Sequence, residues 1–383
     1  MPVSSAHSYI ELLVAFGVTL LSLHLLSPVA EFFGWFDYPS GRKAHSAPTP
    51  VTGGLAIALG VLAAMPLGLT TPDAFFAFCI SSCVLLVVGI ADDIYDLRWF
   101  FRLAAQAGAA LIMVYLGNVR ARYIGLPGGA ASIDLGPMAV PFTVFITLGV
   151  INAVNMLDGC DGLAGGVALV TLALLGLVCV HVGNYAVLDR ILILSGAVAG
   201  FLVMNMRHPW QPRARVFLGN SGSTIIGLAI TWLAIRVSHT TGHSVSSILV
   251  PWLVAPPLID CVVLMFRRAN QKRSPFAADN GHLHHLLLDA GFTPAGVALT
   301  LMGLTAALGL AAMAALRLHV PQAIMVAVFL LLIVGYYYFS KDRDLAVRRL
   351  GWLRQSFGAV FRSGDGRASD RSVDAMQVSS DTE

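Results

Sequence analysis

Long apolar runs dominate the sequence, and short polar stretches separate them. Each run is close to the roughly 20 apolar residues that an α-helix needs to cross a bilayer. We identify eleven such runs, at 9–28, 54–69, 74–91, 100–117, 138–151, 163–182, 187–205, 221–237, 247–266, 294–316 and 322–340. The pattern predicts an all-α polytopic membrane protein with about eleven transmembrane helices in residues 1–340. The run at 138–151 is the shortest, so it either continues into 152–155 or does not cross fully.

The composition supports this fold class. Apolar residues make up 57% of the chain and charged residues only 12%, whereas soluble domains average roughly 45–50% and 25%. So little charge excludes a soluble globular protein, and the lack of a basic face excludes nucleic acid as a partner. The five cysteines form no CxxC pair and are typical of core positions. Residues 341–383 are expected to form a basic cytoplasmic tail that is disordered from about 364.

The distribution of Lys and Arg predicts the orientation. If the eleven runs alternate across the membrane, nineteen of the 24 Lys and Arg residues fall on one side. The five on the other side are Arg120, Arg122, Arg190, Arg236 and Arg317. Because cytoplasmic loops carry the excess of positive charge, we expect the N-terminus outside and the C-terminus in the cytoplasm.

Acidic residues cluster at the predicted cytoplasmic end of the third run. In ADDIYDLRW (91–99), Asp92 and Asp96 are four residues apart and would share a helix face, with Asp93 beside them. Like charges at this spacing favour a divalent cation or a positive partner. Arg102 lies on the same side and could hold a phosphate. A helix-capping acidic run at the membrane interface explains an isolated Asp–Asp pair equally well.

A second polar cluster follows the short run. NAVNMLDGCDGLAGG (152–166) contains Asn152, Asn155, Asp158 and Asp161 on a glycine-containing backbone. Oxygen ligands of this kind suit Mg²⁺, and the glycines allow backbone N–H groups to approach an anion. An ordinary polar loop is the less favourable interpretation, because four such side chains beside a bilayer would be costly. GNSGSTIIG (219–227), which opens the eighth run, is weak evidence alone.

Histidines mark a third cytoplasmic region. KRSPFAADNGHLHHLLLDAGF (272–292) combines two basic residues with His282, His284 and His285. No Cys or carboxylate has the spacing of a structural zinc site, so we interpret the imidazoles as contacts for phosphate. Asp260 is a lone acid inside a predicted span and is therefore a functional candidate.

The order of these segments resembles the polyprenyl-phosphate N-acetylhexosamine-1-phosphate transferases. The resemblance runs from about Arg42 to about Phe292 and rests on five segments: RKAHSAPTPVTGG, DDIYD, NAVNMLDGCDGLAGG, VFLGNSGST and KRSPF followed by HLHHLLL. LVMNMRHPW (202–210) and the histidine segment are most similar to the bacterial undecaprenyl-phosphate GlcNAc-1-phosphate transferases. The peptidoglycan branch typically has Lys at the position of Asp96.

The resemblance implies a reaction in a multi-pass protein of the bacterial inner membrane. GlcNAc-1-phosphate would pass from UDP-GlcNAc to undecaprenyl phosphate on the cytoplasmic face, with release of UMP and the start of a lipid-linked glycan. The implied cofactor is Mg²⁺, with Mn²⁺ as a substitute. Phosphoryl transfer relies on positioning and charge neutralisation, which suits acids beside cationic groups. The alternatives are the same chemistry with another UDP-sugar and an ion-coupled transporter. A homodimer is compatible with either.

The resemblance also implies residue roles. The expected catalytic residues are Asp92, at the lipid phosphate, Asp93, which supports it, and His284. Asn155 and Asn220 are expected at the metal. The expected substrate contacts are Lys43, His45, Asp96, Arg102, Asn152, Asp158, Asp161, Arg273, His282 and His285, with Asp161 at the uridine and the histidines at the pyrophosphate and sugar.

Position 220 departs from the family pattern. The family has Asp where this chain has Asn220, and that Asp resembles a principal Mg²⁺ ligand. An amide oxygen can coordinate Mg²⁺, but it lacks the charge that this ion prefers. Either the chain tolerates a weaker metal site or it is an inactivated variant, and we favour the variant.

Overall fold

A computed structural model describes residues 3–37, 48–65, 72–125, 132–240, 242, 244–274 and 281–356. This part of the chain contains fourteen α-helices. They are α1 Val3–Phe33, α2 Gly53–Ala64, α3 Pro72–Tyr95, α4 Trp99–Tyr115, α5 Ala139–Leu157, α6 Leu163–Val182, α7 Tyr185–Asn205, α8 Gly219–His239, α9 Val250–Leu253, α10 Ala255–Asn270, α11 Leu283–Asp289, α12 Pro294–Arg317, α13 Gln322–Lys341 and α14 Arg343–Ser356.

Extended structure in the described residues is limited to two antiparallel pairs of two-residue strands and one isolated bridge between His208 and Gln211. β1 (Phe36–Asp37) pairs with β2 (Thr49–Pro50), and β3 (Tyr123–Ile124) pairs with β4 (Ile133–Asp134). Each strand pair lies within a connection between two helices. The prediction of an all-α membrane protein is therefore confirmed.

Within the part of the chain that the structure describes, every predicted apolar run contains helix. Eight helices of the described chain are long and apolar enough to cross a membrane, and a bent helix pair gives a ninth candidate. Two of the predicted runs form the shorter helices α2, of 12 residues, and α4, of 17 residues. In the described residues, eight or nine of the eleven predicted spans thus meet this criterion, and α2 and α4 are shorter than the others.

Two runs differ from their predicted form. The run at 247–266 is broken: α10 turns 84° away from the helical segment before it. The physical reason is Pro256 and Pro257 in the first turn of α10, since proline has no N–H to continue the preceding helix. The short run at 138–151 belongs to α5, which continues to Leu157 and so contains Asn152 and Asn155.

Helix α8 is the central helix, and nearly all its residues are buried. It packs against α2, α3 and α5, and small residues allow these helices to approach closely. A Cβ added at Gly54 would lie 2.3 Å from the backbone nitrogen of Gly222, and one at Gly89 would lie 2.4 Å from Cα of Ser221. These contacts bring the first turn of α8 against α2 and α3.

Close packing of α8 on α5 predicts a stability effect. A Cβ at Gly227 would lie 2.6 Å from Cα of Ile151, so Gly227→Ala must separate two backbones. We expect the free energy of unfolding to fall by about 1–3 kcal/mol. Gly149→Ala on α5 is the control, because no atom lies within 4 Å of its added Cβ, and it should be neutral or slightly stabilising. Unfolding of both variants in one detergent checks this, and equal destabilisation would contradict the packing.

Helix α14 was not anticipated from the sequence. It follows the last long helix and packs against α11 and α13, with Ala346 fully buried and Trp352 exposed. Part of the predicted tail is therefore folded onto the histidine segment. The predicted disorder from about 364 lies outside the described residues.

Candidate active site

The ends of α3 and α5 and the start of α8 meet around a cavity of about 420 Å³. This volume is within the range of small-molecule sites. Its polar lining consists of Asp92, Asp96, Arg102, Gln106, Asn152, Asn155, Asn220, Thr224, Arg268 and His282. Seven of these residues belong to the predicted site, so segments far apart in sequence converge as the pattern suggested.

Asp92 is buried at the wall of this cavity and is held at both carboxylate oxygens. Oδ1 accepts a hydrogen bond from Leu97 N (2.9 Å), and Oδ2 lies 3.2 Å from Nη1 of Arg102. Helix α3 ends at Tyr95, and Asp96 has φ of 49°. The prediction that Asp92 and Asp96 share a helix face is therefore wrong. Asp96 reaches the same cavity because the chain turns there.

Asp93 faces a different space from Asp92. Its Oδ1 accepts a hydrogen bond from Asn220 N (3.0 Å), while its buried Oδ2 has no hydrogen-bond partner within the described chain. Asp93 lines a second cavity of about 210 Å³ together with Trp35, Phe36 and Thr52. A buried carboxylate oxygen without a partner is costly, which favours a cation beside it.

The two residues expected at the metal are in contact. Asn155 Nδ2 donates to Asn220 Oδ1 (2.8 Å) and to Ser223 Oγ (2.9 Å). One turn earlier on α5, Asn152 Nδ2 donates to Gln106 Oε1 (2.8 Å). Asn220 thus contacts Asn155 through its side-chain amide and Asp93 through its backbone N–H.

This donor set fits Mg²⁺ only in part. Asp93 Oδ2 offers one charged oxygen, and Asn155 and Asn220 offer neutral ones. Mg²⁺ is commonly held by one or two carboxylates together with substrate phosphates. Within the described residues, no group of three His, Cys, Asp or Glu side chains could hold a metal by itself. A cation here would depend on oxygens from a bound phosphate.

Asp158 and Asp161 lie beside the main cavity and do not line it. Burial, and then the charges of Asp93, Asp161 and Asp37, raise the pKa of Asp158 to about 7. A cation nearby would lower that pKa again. Asp161 Oδ2 accepts from Nε of Arg207 (2.6 Å) and from Ala214 N (3.0 Å).

His282 is the histidine that reaches the cavity, and a buried acid holds it. Nδ1 of His282 donates to Oδ2 of Asp260 (2.8 Å). Oδ1 of Asp260 accepts from Leu283 N (3.0 Å) and from the Tyr336 hydroxyl (2.6 Å). With Nδ1 fixed in this way, Nε2 is the nitrogen left for a ligand.

The other two histidines are placed differently. His284 is 1% exposed and packs against Gly159, where an added Cβ would lie 2.5 Å from Nε2. Burial lowers the pKa of His284 to about 3, so its ring is neutral, and burial also lowers the pKa of the half-buried His285. Arg273 is exposed. Lys43 and His45 lie outside the described residues.

Comparisons with known proteins match this arrangement to a family. The sequence profile described as Glycosyl transferase family 4 matches residues 75–238. A protein of Escherichia coli O157:H7 named undecaprenyl-phosphate alpha-N-acetylglucosaminyl 1-phosphate transferase is 32% identical over 335 residues, which cover 86% of this chain and 90% of that protein. The chain belongs to glycosyl transferase family 4. Proteins of the same name are 32% identical in Salmonella typhi, over 86% of this chain and 90% of that protein, and in Haemophilus influenzae, over 74% and 80%.

The segment matched to family 4 contains most residues that line the cavity, but not all of them. It includes Asp92 and Asp93 at the end of α3 and Asn220 at the start of α8. Arg268 and His282 lie after the matched segment, yet they line the same cavity. The site of this family member is therefore completed by α10 and the histidine segment.

Sequence reasoning missed three polar lining residues, Gln106, Thr224 and Arg268, and it also missed Tyr336, which contacts the site through Asp260. Gln106 lies four residues after Arg102 inside an apolar run, and this helical spacing was a usable signal. Arg268 was counted only as loop charge, although its side chain is fully buried. Tyr336 carried no signal, because its partner Asp260 is 76 residues away in sequence.

Proposed function

We propose that this chain transfers GlcNAc-1-phosphate from UDP-GlcNAc to undecaprenyl phosphate and releases UMP. Its relatives at 32% identity are named for the transfer of N-acetylglucosaminyl 1-phosphate to undecaprenyl phosphate. The observation that carries the proposal is the cavity itself, where the Asp92–Arg102 pair faces the Asn155–Asn220 pair. Acids, amides and arginines around one space are what transfer between two phosphates requires.

The proposed chemistry is a single displacement at phosphorus. An oxygen of the lipid phosphate attacks the β-phosphorus of UDP-GlcNAc and forms a new P–O bond. The bond from that phosphorus to the bridging oxygen breaks, and UMP leaves with this oxygen. Asp92 orients the lipid phosphate and accepts its remaining proton, while Arg102 and Arg268 offset negative charge.

The lipid substrate is proposed to enter beside Asp92. Helix α4 begins at the cavity with Trp99, Phe100 and Phe101, all of which are exposed. Large exposed apolar side chains on a membrane protein suit contact with lipid chains. They support an entry where a polyprenyl chain remains in the bilayer and only its phosphate reaches the Asp92–Arg102 pair.

The proposed cofactor is Mg²⁺, or Mn²⁺ in its place. Asp93 would hold it together with the side-chain oxygens of Asn155 and Asn220. When bound, a divalent cation neutralises phosphate charge at the point of transfer. Asn220 offers no charge to such an ion, so we propose that this chain turns over slowly.

The remaining predicted contacts are proposed for the nucleotide and sugar. Asp158 and Asp161 follow α5, and Asp158 is near enough to Asp93 for the charge of Asp93 to raise its pKa. His282 reaches the main cavity, where the pyrophosphate would lie. Trp35 and Phe36 give the smaller cavity aromatic faces that suit stacking on a base.

The proposed location of the reaction is the cytoplasmic face of the bacterial inner membrane. Nineteen of the 24 Lys and Arg residues fall on the side of the cavity if eleven segments alternate. UDP-sugars are soluble in the cytosol, so the site and this substrate would meet there. A transporter would place its acids near the bilayer midplane, whereas Asp92, Asn155 and Asn220 lie at helix ends.

A panel of sugar nucleotides tests the proposed function. Purified chain and its Asn220→Asp variant are incubated with undecaprenyl phosphate, Mg²⁺ and labelled UDP-GlcNAc, UDP-GalNAc or UDP-MurNAc-pentapeptide. We expect a lipid-linked product from UDP-GlcNAc that EDTA abolishes. Undecaprenol, which lacks the phosphate, should give none. The proposal would be overturned if only another UDP-sugar gave a product. It would also be overturned if neither protein gave a product with any of the three UDP-sugars.

The hydrogen bonds to His282 predict a graded loss of activity. Asp260→Asn should lower kcat about 10–100-fold, because partners that orient an imidazole matter at this level. Tyr336→Phe removes one hydrogen bond from Asp260 and should cost less. Tyr338→Phe, on the exposed side of the same helix, is the control. The measurement is the pH profile of UMP release: a shifted profile supports orientation of His282, and an unchanged profile with less folded protein would show a structural role only.

A further inference from the structure

Two arginines lie at the end of the bundle opposite the candidate active site. Helix α8 runs from Asn220 at the cavity to Arg236 near its last turn, which is about 24 Å at roughly 1.5 Å per residue. Arg190 lies in the second turn of α7. Neither residue takes part in the proposed transfer.

Arg190 and Arg236 line one small pocket. Its other lining residues are apolar: Val61, Met65, Phe78, Ile193, Leu194, Ala229, Trp232 and Leu233. The pocket volume is about 40 Å³, room for about three waters at roughly 10–15 Å³ each. This is close to the size of one phosphate group. Arginine is the side chain best suited to bind phosphate in such a place, because its planar guanidinium donates in a fork.

Arg236 has no counter-charge in the part of the chain that the structure describes. Its side chain is partly buried and takes part in no hydrogen bond or ion pair there. Arg190 has the acidic neighbours Asp189 and Glu11, although Asp189 already accepts a hydrogen bond from Ser8. Two positive side chains converge on an apolar pocket, and only one has acids nearby.

An arginine in the last turn of a helix often extends to water and interacts with the helix dipole. That explanation alone does not account for a second arginine from another helix in the same pocket. Helix α8 is also the central, almost wholly buried helix, so Arg236 faces its neighbours in the bundle. The arrangement instead has the chemistry of the basic pockets between transmembrane helices that bind lipid head groups at the cytoplasmic face, although it lies at the other end of the bundle.

We propose that Arg190 and Arg236 form a second anion site, which holds the phosphate of an anionic phospholipid at the membrane face opposite the active site. A lipid is favoured over free phosphate because the pocket adjoins apolar surface. Leu62 and Phe76, next to the pocket residues on α2 and α3, are exposed, and acyl chains can lie against them. Such a lipid would join α2 and α3 to α7 and α8.

Lipid retention and thermal stability test this site without reference to activity. The unsubstituted chain, Arg236→Gln, Arg190→Gln and the control Arg120→Gln are purified in one detergent. Arg120 is exposed and belongs to the same predicted outer set. Each protein is titrated with phosphatidylglycerol, phosphatidylcholine or inorganic phosphate. Melting is followed, and bound lipids are counted by native mass spectrometry.

We expect phosphatidylglycerol to raise the Tm of the unsubstituted chain and of Arg120→Gln by about 3 °C or more at saturation. Arg236→Gln and Arg190→Gln should lose at least half of that rise and retain one phosphatidylglycerol fewer. If one variant does not fold, the other carries the same expectation. Equal shifts in all four proteins would overturn the proposal, as would an equal shift with phosphatidylcholine. A full shift with inorganic phosphate would overturn the lipid assignment.

Discussion

Asn220→Asp should raise Mg²⁺-dependent turnover about 100–1000-fold, the scale of one preorganised charged group at a transition state. The new carboxylate would lie beside Asp93, whose Oδ1 accepts from the backbone of residue 220 and whose Oδ2 has no partner in the described chain. It could still accept a hydrogen bond from Asn155, as the amide oxygen does now. The substitution therefore adds charge with little change of shape.

The same substitution should change stability in a metal-dependent way. Without a divalent cation, two half-buried carboxylates repel each other, so the Tm of Asn220→Asp should fall below that of the unsubstituted chain. Added Mg²⁺ should raise the Tm of the variant by several degrees more than that of the unsubstituted chain. UMP release and thermal melting across a Mg²⁺ series measure both effects.

Asn152→Asp is the matched control for added charge. Asn152 lines the same cavity, but its amide donates to Gln106 and not to the Asp93–Asn220 group. This variant should gain neither turnover nor extra stabilisation by Mg²⁺. Identical rates and identical Mg²⁺ responses in the unsubstituted chain and Asn220→Asp would show that position 220 does not contact the metal.

Asp92→Asn should lower transfer about 100–10,000-fold, the range for loss of a positioned proton acceptor. The amide keeps the shape of the side chain but removes the charge that pairs with Arg102. Binding of UDP-GlcNAc should change less than about threefold, because Asp92 is assigned to the lipid phosphate. Calorimetric binding of UDP-GlcNAc, measured beside UMP release, separates the two effects.

The control for Asp92→Asn is Asp344→Asn, an exposed acid at the start of α14, which should alter neither quantity. If nucleotide binding is lost together with activity in Asp92→Asn, the acid belongs to the nucleotide and metal side of the site. The proposed entry of the lipid beside α4 would then be wrong as well.

The long helices could be predicted from sequence because each is an apolar run. In a bilayer, backbone N–H and C=O groups must hydrogen-bond within the protein, and a helix achieves this. In the described residues all eleven runs contain helix. Helix α5 extends to Leu157, as expected if the short run continues into 152–155. The break before α10 was also readable, since Pro256 and Pro257 stand inside the run at 247–266. The helix α14 was missed because charged residues dominate its sequence, while only Ala346 is buried and Val347 and Leu350 are partly buried.

The site was predictable where polar residues interrupt apolar runs, because polar groups in a membrane segment are costly and are usually functional. Helical spacing failed at Asp96, because the helix ends one residue earlier and a positive φ redirects the chain. The division of Asp92 and Asp93 between two cavities also depends on packing against α2 and α8. Contacts between distant segments, such as His282 with Asp260 and Tyr336, have no local signature.

The central claim is that phosphorus moves with the sugar, and one labelling measurement tests it most directly. UDP-GlcNAc labelled at the β-phosphorus is incubated with undecaprenyl phosphate, Mg²⁺ and the Asn220→Asp variant, and the lipid and aqueous fractions are then separated. Transfer of GlcNAc-1-phosphate predicts that the label enters the lipid fraction while unlabelled UMP appears in water in equal amount. Label recovered in aqueous UDP, with GlcNAc alone on the lipid, would contradict this account.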